Sequence, residues 1–292
     1  MPKQKLPPLT PAHIAFNKNK MTAEDQTTDH VIPLYAIDEN KERYALGSAV
    51  LLQITDKKFL ISAAHVFDEN KNAKNPTDIE IPGANTFIPV HGNVIKSPLP
   101  PSGKRADDKI DLAIVRLDDD LAAQLGHHTF LDITQVDPSD KPFKQSLYTF
   151  TGYPSTKQKM PKDGGLTIDP VRYTSTPLLP EQYPKGFELG PHHGIAYHKK
   201  KMIARNGNIQ PPPDPHGVSG GGLFRLGTFD DIKNNATTPM LVGIAIEDHN
   251  TCLIATNIAY ALELIRADQP ELDDHIPHST YLKIDVTNGE KQ

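Results

Sequence analysis

From about residue 30 onward, apolar residues fall into short runs separated by clusters of turn-formers. The first block has runs at 31–35, 45–54, 58–62, 79–81, 87–90 and 112–117, cut by turns such as Asp38-Glu39-Asn40 and Thr55-Asp56-Lys57. A second block, from about 146 to 256, repeats the rhythm at 147–153, 171–173, 222–224 and 240–246, with longer proline-rich loops between. Runs of this length, bounded by turn chemistry, predict strands; so many in succession predict an antiparallel barrel or sandwich. One helix stands out near the end. Ile258, Ala261, Leu262 and Ile265 fall at i, i+3, i+4 and i+7, with Thr256 or Asn257 as N-cap and Pro270 beyond the stop. Residues 1–29 are polar and punctuated by Pro2, Pro7, Pro8 and Pro11, which predicts an extension outside the core. The segment after the helix reads as a polar tail with one strand-like stretch at 281–284.

Composition narrows the function classes. Twenty-seven prolines and 19 glycines favour short strands over long helices, and the formal net charge of −5 argues against a nucleic-acid partner. The run Lys199-Lys200-Lys201 is too short to change that and reads as a solvated loop. Cys252 is the single cysteine, so no intrachain disulfide forms, and its apolar neighbours predict a buried structural thiol. With no apolar leader in the first twenty residues and no run long enough for a membrane helix, a cytoplasmic location without membrane attachment is expected.

Three segments carry candidate chemistry. His65 follows an apolar strand that ends in Ala63-Ala64, small residues that let an imidazole sit close to the backbone. Asp111 joins the apolar run 112–117 directly, whereas Asp107 and Asp108 read as turn acids. Ser219 lies in Gly217-Val218-Ser219-Gly220-Gly221, where glycine supplies the freedom for a tight turn that exposes a hydroxyl and aims backbone N–H groups. A general base, a carboxylate to orient it and a serine nucleophile are the parts of an acyl-transfer site, and no cofactor is needed. The serine segment also fits Gly-x-Ser-x-Gly, but that elbow needs a buried strand before the serine and a helix after it, not the proline-rich 211–215 and a glycine-led strand. His127-His128 and His192-His193 lack the helical spacing of a metalloprotease site and read as surface or loop histidines, so no metal is expected.

In the order His, Asp, Ser, these segments resemble those of the trypsin-like (chymotrypsin-fold) serine proteases, intracellular bacterial-type without disulfides, over residues 30–267. The resemblance implies an all-β protein of two antiparallel six-stranded β-barrels with a C-terminal helix. Residues 1–29 would be the extension, 30–135 the first barrel with His65 and Asp111, 136–268 the second barrel with Ser219 and the helix, and 269–292 the tail. It implies peptide-bond hydrolysis through an acyl-enzyme, with backbone N–H groups of Gly217 and Ser219 as the oxyanion hole. It also places the floor of a primary pocket at Pro213, Asp214 and His216 and its wall at Ile246, Glu247 and Asp248. The acids among these favour basic side chains, while His216 would favour acidic ones. Val218 stands where zymogen-activated members carry an aspartate, so activity should not need N-terminal trimming, though an activating partner protein would fit. The partner implied is a protein or peptide substrate. A catalytically silent, peptide-binding module of the same fold is the alternative.

Overall fold

The structure, a computed structural model, describes residues 10–37, 43–68, 79–84, 86–143, 145–154, 169–197, 202–203, 209–212, 214–279 and 282. It opens with a helix, α1 (Pro11–Thr28). The first sheet then takes β1 (Val31–Ile37), β2 (Arg43–Ile54), β3 (Lys57–Ala63), β4 (Ile79–Pro82), β5 (Phe87–Pro89), β6 (Asn93–Lys96) and β7 (Leu112–Arg116), in the order β5-β4-β1-β2-β3-β7-β6. The two-residue β8 (Leu131–Asp132) lies parallel beside β2. Short helices α2 (Ala64–Asp68) and α3 (Asp119–Gln124) follow β3 and β7.

The second sheet uses β9 (Ser146–Gly152), β10 (Val171–Ser175) and β11 (His192–Ala196). After a separate small hairpin, β12 (Met202–Ile203) with β13 (Ile209–Gln210), it adds β14 (Gly222–Thr228), β15 (Met240–Asp248) and β16 (Cys252–Asn257). Its order is β10-β9-β14-β15-β16-β11, antiparallel throughout. Helix α4 (Phe229–Lys233) follows β14 and α5 (Ile258–Asp268) follows β16. The all-β, two-sheet architecture is therefore as expected, with more strands in the first sheet than six because the short β5 and β6 extend its ends and the two-residue β8 lies beside β2.

Continuous apolar runs form strands here because both faces are buried. Along β2, Leu51 enters one core while Val50, Leu52 and Ile54 enter another; Leu60 and Val115 point with Leu51, and Phe59, Ile61, Leu112 and Ile114 point the other way. A side-chain period of two thus divides one apolar string between two cores. The second of these is shared with Phe224 and Ile244 of the second sheet and with Ile258, Leu262 and Ile265 of α5, so the helix seals the junction of the sheets. Asn257 is its N-cap, accepting from the Ala259 N–H.

Two segments differ from the sequence reading. The extension holds α1, whose Pro11 occupies the first turn, where no N–H is needed, and whose Thr10 side chain caps it. The tail begins with a 3-10 helix, Pro270–His275, and buries Leu272 and Ile276. The strand-like stretch at 281–284 lies largely outside the described residues. No helix among the described residues is long and apolar enough to cross a membrane.

The histidines of β11 correct another expectation. His192 and His193 are not at the surface or in a loop; both are buried, because backbone carbonyls meet their rings. His192 Nε2 lies 2.8 Å from Lys109 O, and His193 Nε2 lies 3.1 Å from Ser139 O. Burial pushes the His193 imidazole down from 6.5 to about 4. Between these values the unfolded chain holds a proton that the folded one refuses, so stability is full above about pH 6.5 and falls as pH drops towards 4. The loss should approach 3 kcal/mol, at about 1.4 kcal/mol per pH unit. In His193→Gln, whose amide still donates to Ser139 O, urea denaturation at pH 4.5 and 7 should show this part of the acid loss gone. An unchanged pH slope would refute the assignment.

Candidate active site

The strand β3 ends in Ala63, and His65 stands in the first turn of α2, immediately after the buried Ala64. Asp111 grips that turn at three points. Its carbonyl accepts from the Ala64 N–H at 2.9 Å, its Oδ1 from the His65 N–H at 2.8 Å, and its Oδ2 lies 2.5 Å from His65 Nδ1. A carboxylate accepts, so the proton sits on Nδ1 and the ring is fixed in one tautomer and one orientation. The Asp111 side chain is 8 % exposed and that of His65 27 %. Burial pushes the Asp111 carboxyl up from the ordinary value, and the His65 hydrogen bonds oppose the shift.

Asp111 has φ +48°, a left-handed conformation that costs a residue with a Cβ about 1–3 kcal/mol. The surrounding loop is over-determined enough to hold it. Asp108 Oδ1 accepts from the Ile110 N–H at 2.9 Å, and Oδ2 from Arg105 at 2.6 Å and Ser97 Oγ at 2.7 Å. Ser97 Oγ in turn accepts from the Leu112 N–H at 3.0 Å. From the second sheet, Thr256 Oγ1 donates to Ile110 O at 2.6 Å, and His192 reaches Lys109 O. Burial works against the Asp108 charge, but hydrogen bonds from Ser97, the Asp111 and Ile110 amides and Arg105 outweigh it and lower its pKa. Asp108, its side chain 6 % exposed, thus locks the Asp111 loop, although by sequence pattern it reads as a turn acid.

The serine loop is held by glycine conformations. Gly217 and Gly220 have φ +93° and +83°, and a Cβ on Gly220 would run into Ser48 O and Ser62 Oγ. Val218 N–H donates to Pro215 O (2.9 Å), Gly220 N–H to Ala245 O (2.7 Å) and Gly221 N–H to Val218 O (2.8 Å). Among the described residues, the Gly217 and Ser219 N–H groups donate to nothing. Ser219 is partly exposed, and Val218 is buried in the core of the second sheet, among Tyr173, Tyr197 and Leu253. The loop abuts the His65 turn: a Cβ on Gly47 would lie 2.9 Å from both Ser219 O and the Val66 side chain.

The expected pocket residues divide. Pro213 lies outside the described residues. Ile246 is buried, while Asp214, His216, Glu247 and Asp248 are exposed. Glu247 turns towards Lys109, at 3.4 Å, and His249, at 3.3 Å. Asp214 and Asp248 instead lie near Tyr173 and Tyr197, whose rings meet edge to face with centroids 5.4 Å apart. Burial pushes both phenols up, and the two acids add to the shift, taking Tyr197 to about 12. These tyrosines escaped the sequence reading because no motif marks them. Among the described residues no three His, Cys, Asp or Glu side chains are grouped to hold a metal ion. A cavity of about 430 Å³, lined by Asp29, His127, His128, Tyr153 and Arg172 among others, involves none of the candidate residues.

No family model matches the chain, and no curated protein matches it. Solved structures with a similar outline include HL collagenase, 11 % identical, covering 83 % of this chain and 94 % of that one with a TM-score of 0.49. A human pathogenic astrovirus serine protease, also 11 % identical, covers 79 % of this chain and 90 % of its own, with a TM-score of 0.38.

Proposed function

We propose that the chain is a serine endopeptidase of the trypsin-like type, working in the cytoplasm on protein or peptide substrates and without a cofactor. The observation that carries this reading is the two-point grip of Asp111 on His65, with one carboxylate oxygen on the backbone N–H and the other on Nδ1. With Nδ1 protonated, His65 Nε2 is the basic nitrogen. It takes the proton of Ser219 Oγ as that oxygen bonds to the scissile carbonyl carbon, then passes the proton to the leaving amine as the C–N bond breaks. Water hydrolyses the acyl-enzyme by the same route. Asp111 stabilises the imidazolium formed in between, and the N–H groups of Gly217 and Ser219, without an acceptor among the described residues, receive the oxyanion.

Specificity in this reading falls to Asp214 and Asp248 beside the tyrosine pair, which favour Lys or Arg in the primary pocket; Glu247 is engaged by Lys109 and His249. The test is labelling of the full-length chain with a fluorophosphonate, followed by cleavage profiling on a peptide library. Labelling of the wild type, none in Ser219→Ala, and cleavage after basic residues are expected. No labelling would leave the silent peptide-binding module, and cleavage after small or acidic residues would remove only the specificity assignment.

A further inference from the structure

We infer that Ser48 is a positioning residue for the nucleophile loop, an inference that rests on the protease reading. Ser48 belongs to the sheet that carries His65 and Asp111, and it is fully buried. The β2–β3 ladder stops at Val50↔Ile61, so the backbone groups of Ser48 take partners outside it. Its N–H donates to Ser219 O at 2.8 Å, and its carbonyl accepts from Ser62 Oγ at 2.7 Å. Its hydroxyl donates to Gly217 O at 3.1 Å and accepts from the Tyr153 N–H at 2.8 Å.

The pattern is selective. Gly217 and Ser219 are the two loop residues whose N–H groups have no acceptor among the described residues, and they are the two whose carbonyls Ser48 holds. A loop with positive φ at Gly217 and Gly220 has backbone freedom that glycine alone does not restrain. Donors aimed at a developing oxyanion act only if they are fixed before the reaction begins. Ser48 supplies that restraint from the opposite sheet, and so ties the serine loop to the His65 side of the site. The hydroxyl is the part a side-chain substitution removes, since the N–H contact to Ser219 is backbone.

The test compares Ser48→Ala with Ser62→Ala, which also deletes a buried hydroxyl next to Ser48 but one with no bond to the serine loop. Ser48→Ala should lower kcat and the rate of fluorophosphonate labelling by about 10–100-fold, short of the roughly 10²–10³-fold loss of an oxyanion donor, with KM within about twofold. Ser62→Ala should lose similar thermal stability but keep kcat within about threefold. Should Ser48→Ala not fold, Ser48→Cys retains the volume with a weaker donor, and should lose about tenfold in kcat. Wild-type kcat and labelling rate in whichever variant folds, or equal kcat losses in the Ser48 and Ser62 variants, would overturn the inference. Failure of the wild-type chain to label at all would overturn the protease reading and this inference with it.

Discussion

Ser219→Ala, His65→Ala and Asp111→Asn should each lower kcat/KM for peptide hydrolysis by at least about 10³-fold while leaving the chain folded. Ser219 is partly exposed and His65 is 27 % exposed, so truncating them opens no deep cavity. Asn tolerates the left-handed conformation that Asp111 adopts, and it keeps the shape of the carboxylate. What Asp111→Asn loses is the acceptor that fixes the Nδ1–H tautomer and the charge that stabilises the imidazolium. Because the three groups act as one unit, the double variant His65→Ala/Ser219→Ala should be little worse than either single one. Asp107→Asn, at an exposed position, should change nothing. Asp108→Asn should lower the melting temperature first and activity second, since it weakens the lock through Arg105 and Ser97 rather than the base itself. Steady-state kinetics with thermal melts on each variant decide the matter. Activity surviving in Ser219→Ala removes the mechanism; a larger kinetic loss in Asp108→Asn than in Asp111→Asn reassigns the carboxylate.

The parts of this arrangement that were legible in the sequence are those set by local pattern. Strands β2, β3 and β7 are built around short apolar runs, and α5 carries a plain i, i+3, i+4, i+7 stripe. Asp111 differs from Asp108 in abutting an apolar strand, yet no local pattern marks Asp108 as a lock: its partners Arg105, Ser97 and Ile110 meet only in the folded loop. The same holds for His192 and His193, whose burial depends on the carbonyls of Lys109 and Ser139. Polar side chains are hidden from pattern reading when distant backbone satisfies them. Helix α1 escaped for a related reason, since the contacts that seat it are largely polar and produce no apolar stripe. Glu24 bonds Thr174, and Thr27 Oγ1 lies 2.6 Å from Thr151 Oγ1.

Removal of residues 1–28 should therefore damage the protein rather than leave it indifferent. Ala23 and Phe16 cover Leu147, Leu226 and Ile232, and the Phe16 ring stacks on Phe229 at 5.3 Å. Without α1 these apolar groups meet water, and the hydroxyls of Thr151 and Thr174 lose their buried partners. Net hydrogen-bond terms of about 1 kcal/mol each, with the exposed apolar area, bring the loss to several kcal/mol, or a fall of roughly 10 °C in Tm. Activity should fall with it. Thr151 pairs with Gly222 across β9 and β14, and two residues further on the Tyr153 N–H holds the hydroxyl of Ser48. Loosening β9 thus loosens the serine loop from behind. The full-length chain should be the active form, as the buried Val218 also implies, because it leaves no acid for a freed N-terminus to pair with. Assaying full-length and 29–292 proteins side by side, below the melting temperature of both, separates the cases. A gain in activity on truncation would instead make α1 an inhibitory segment and refute its role as a brace.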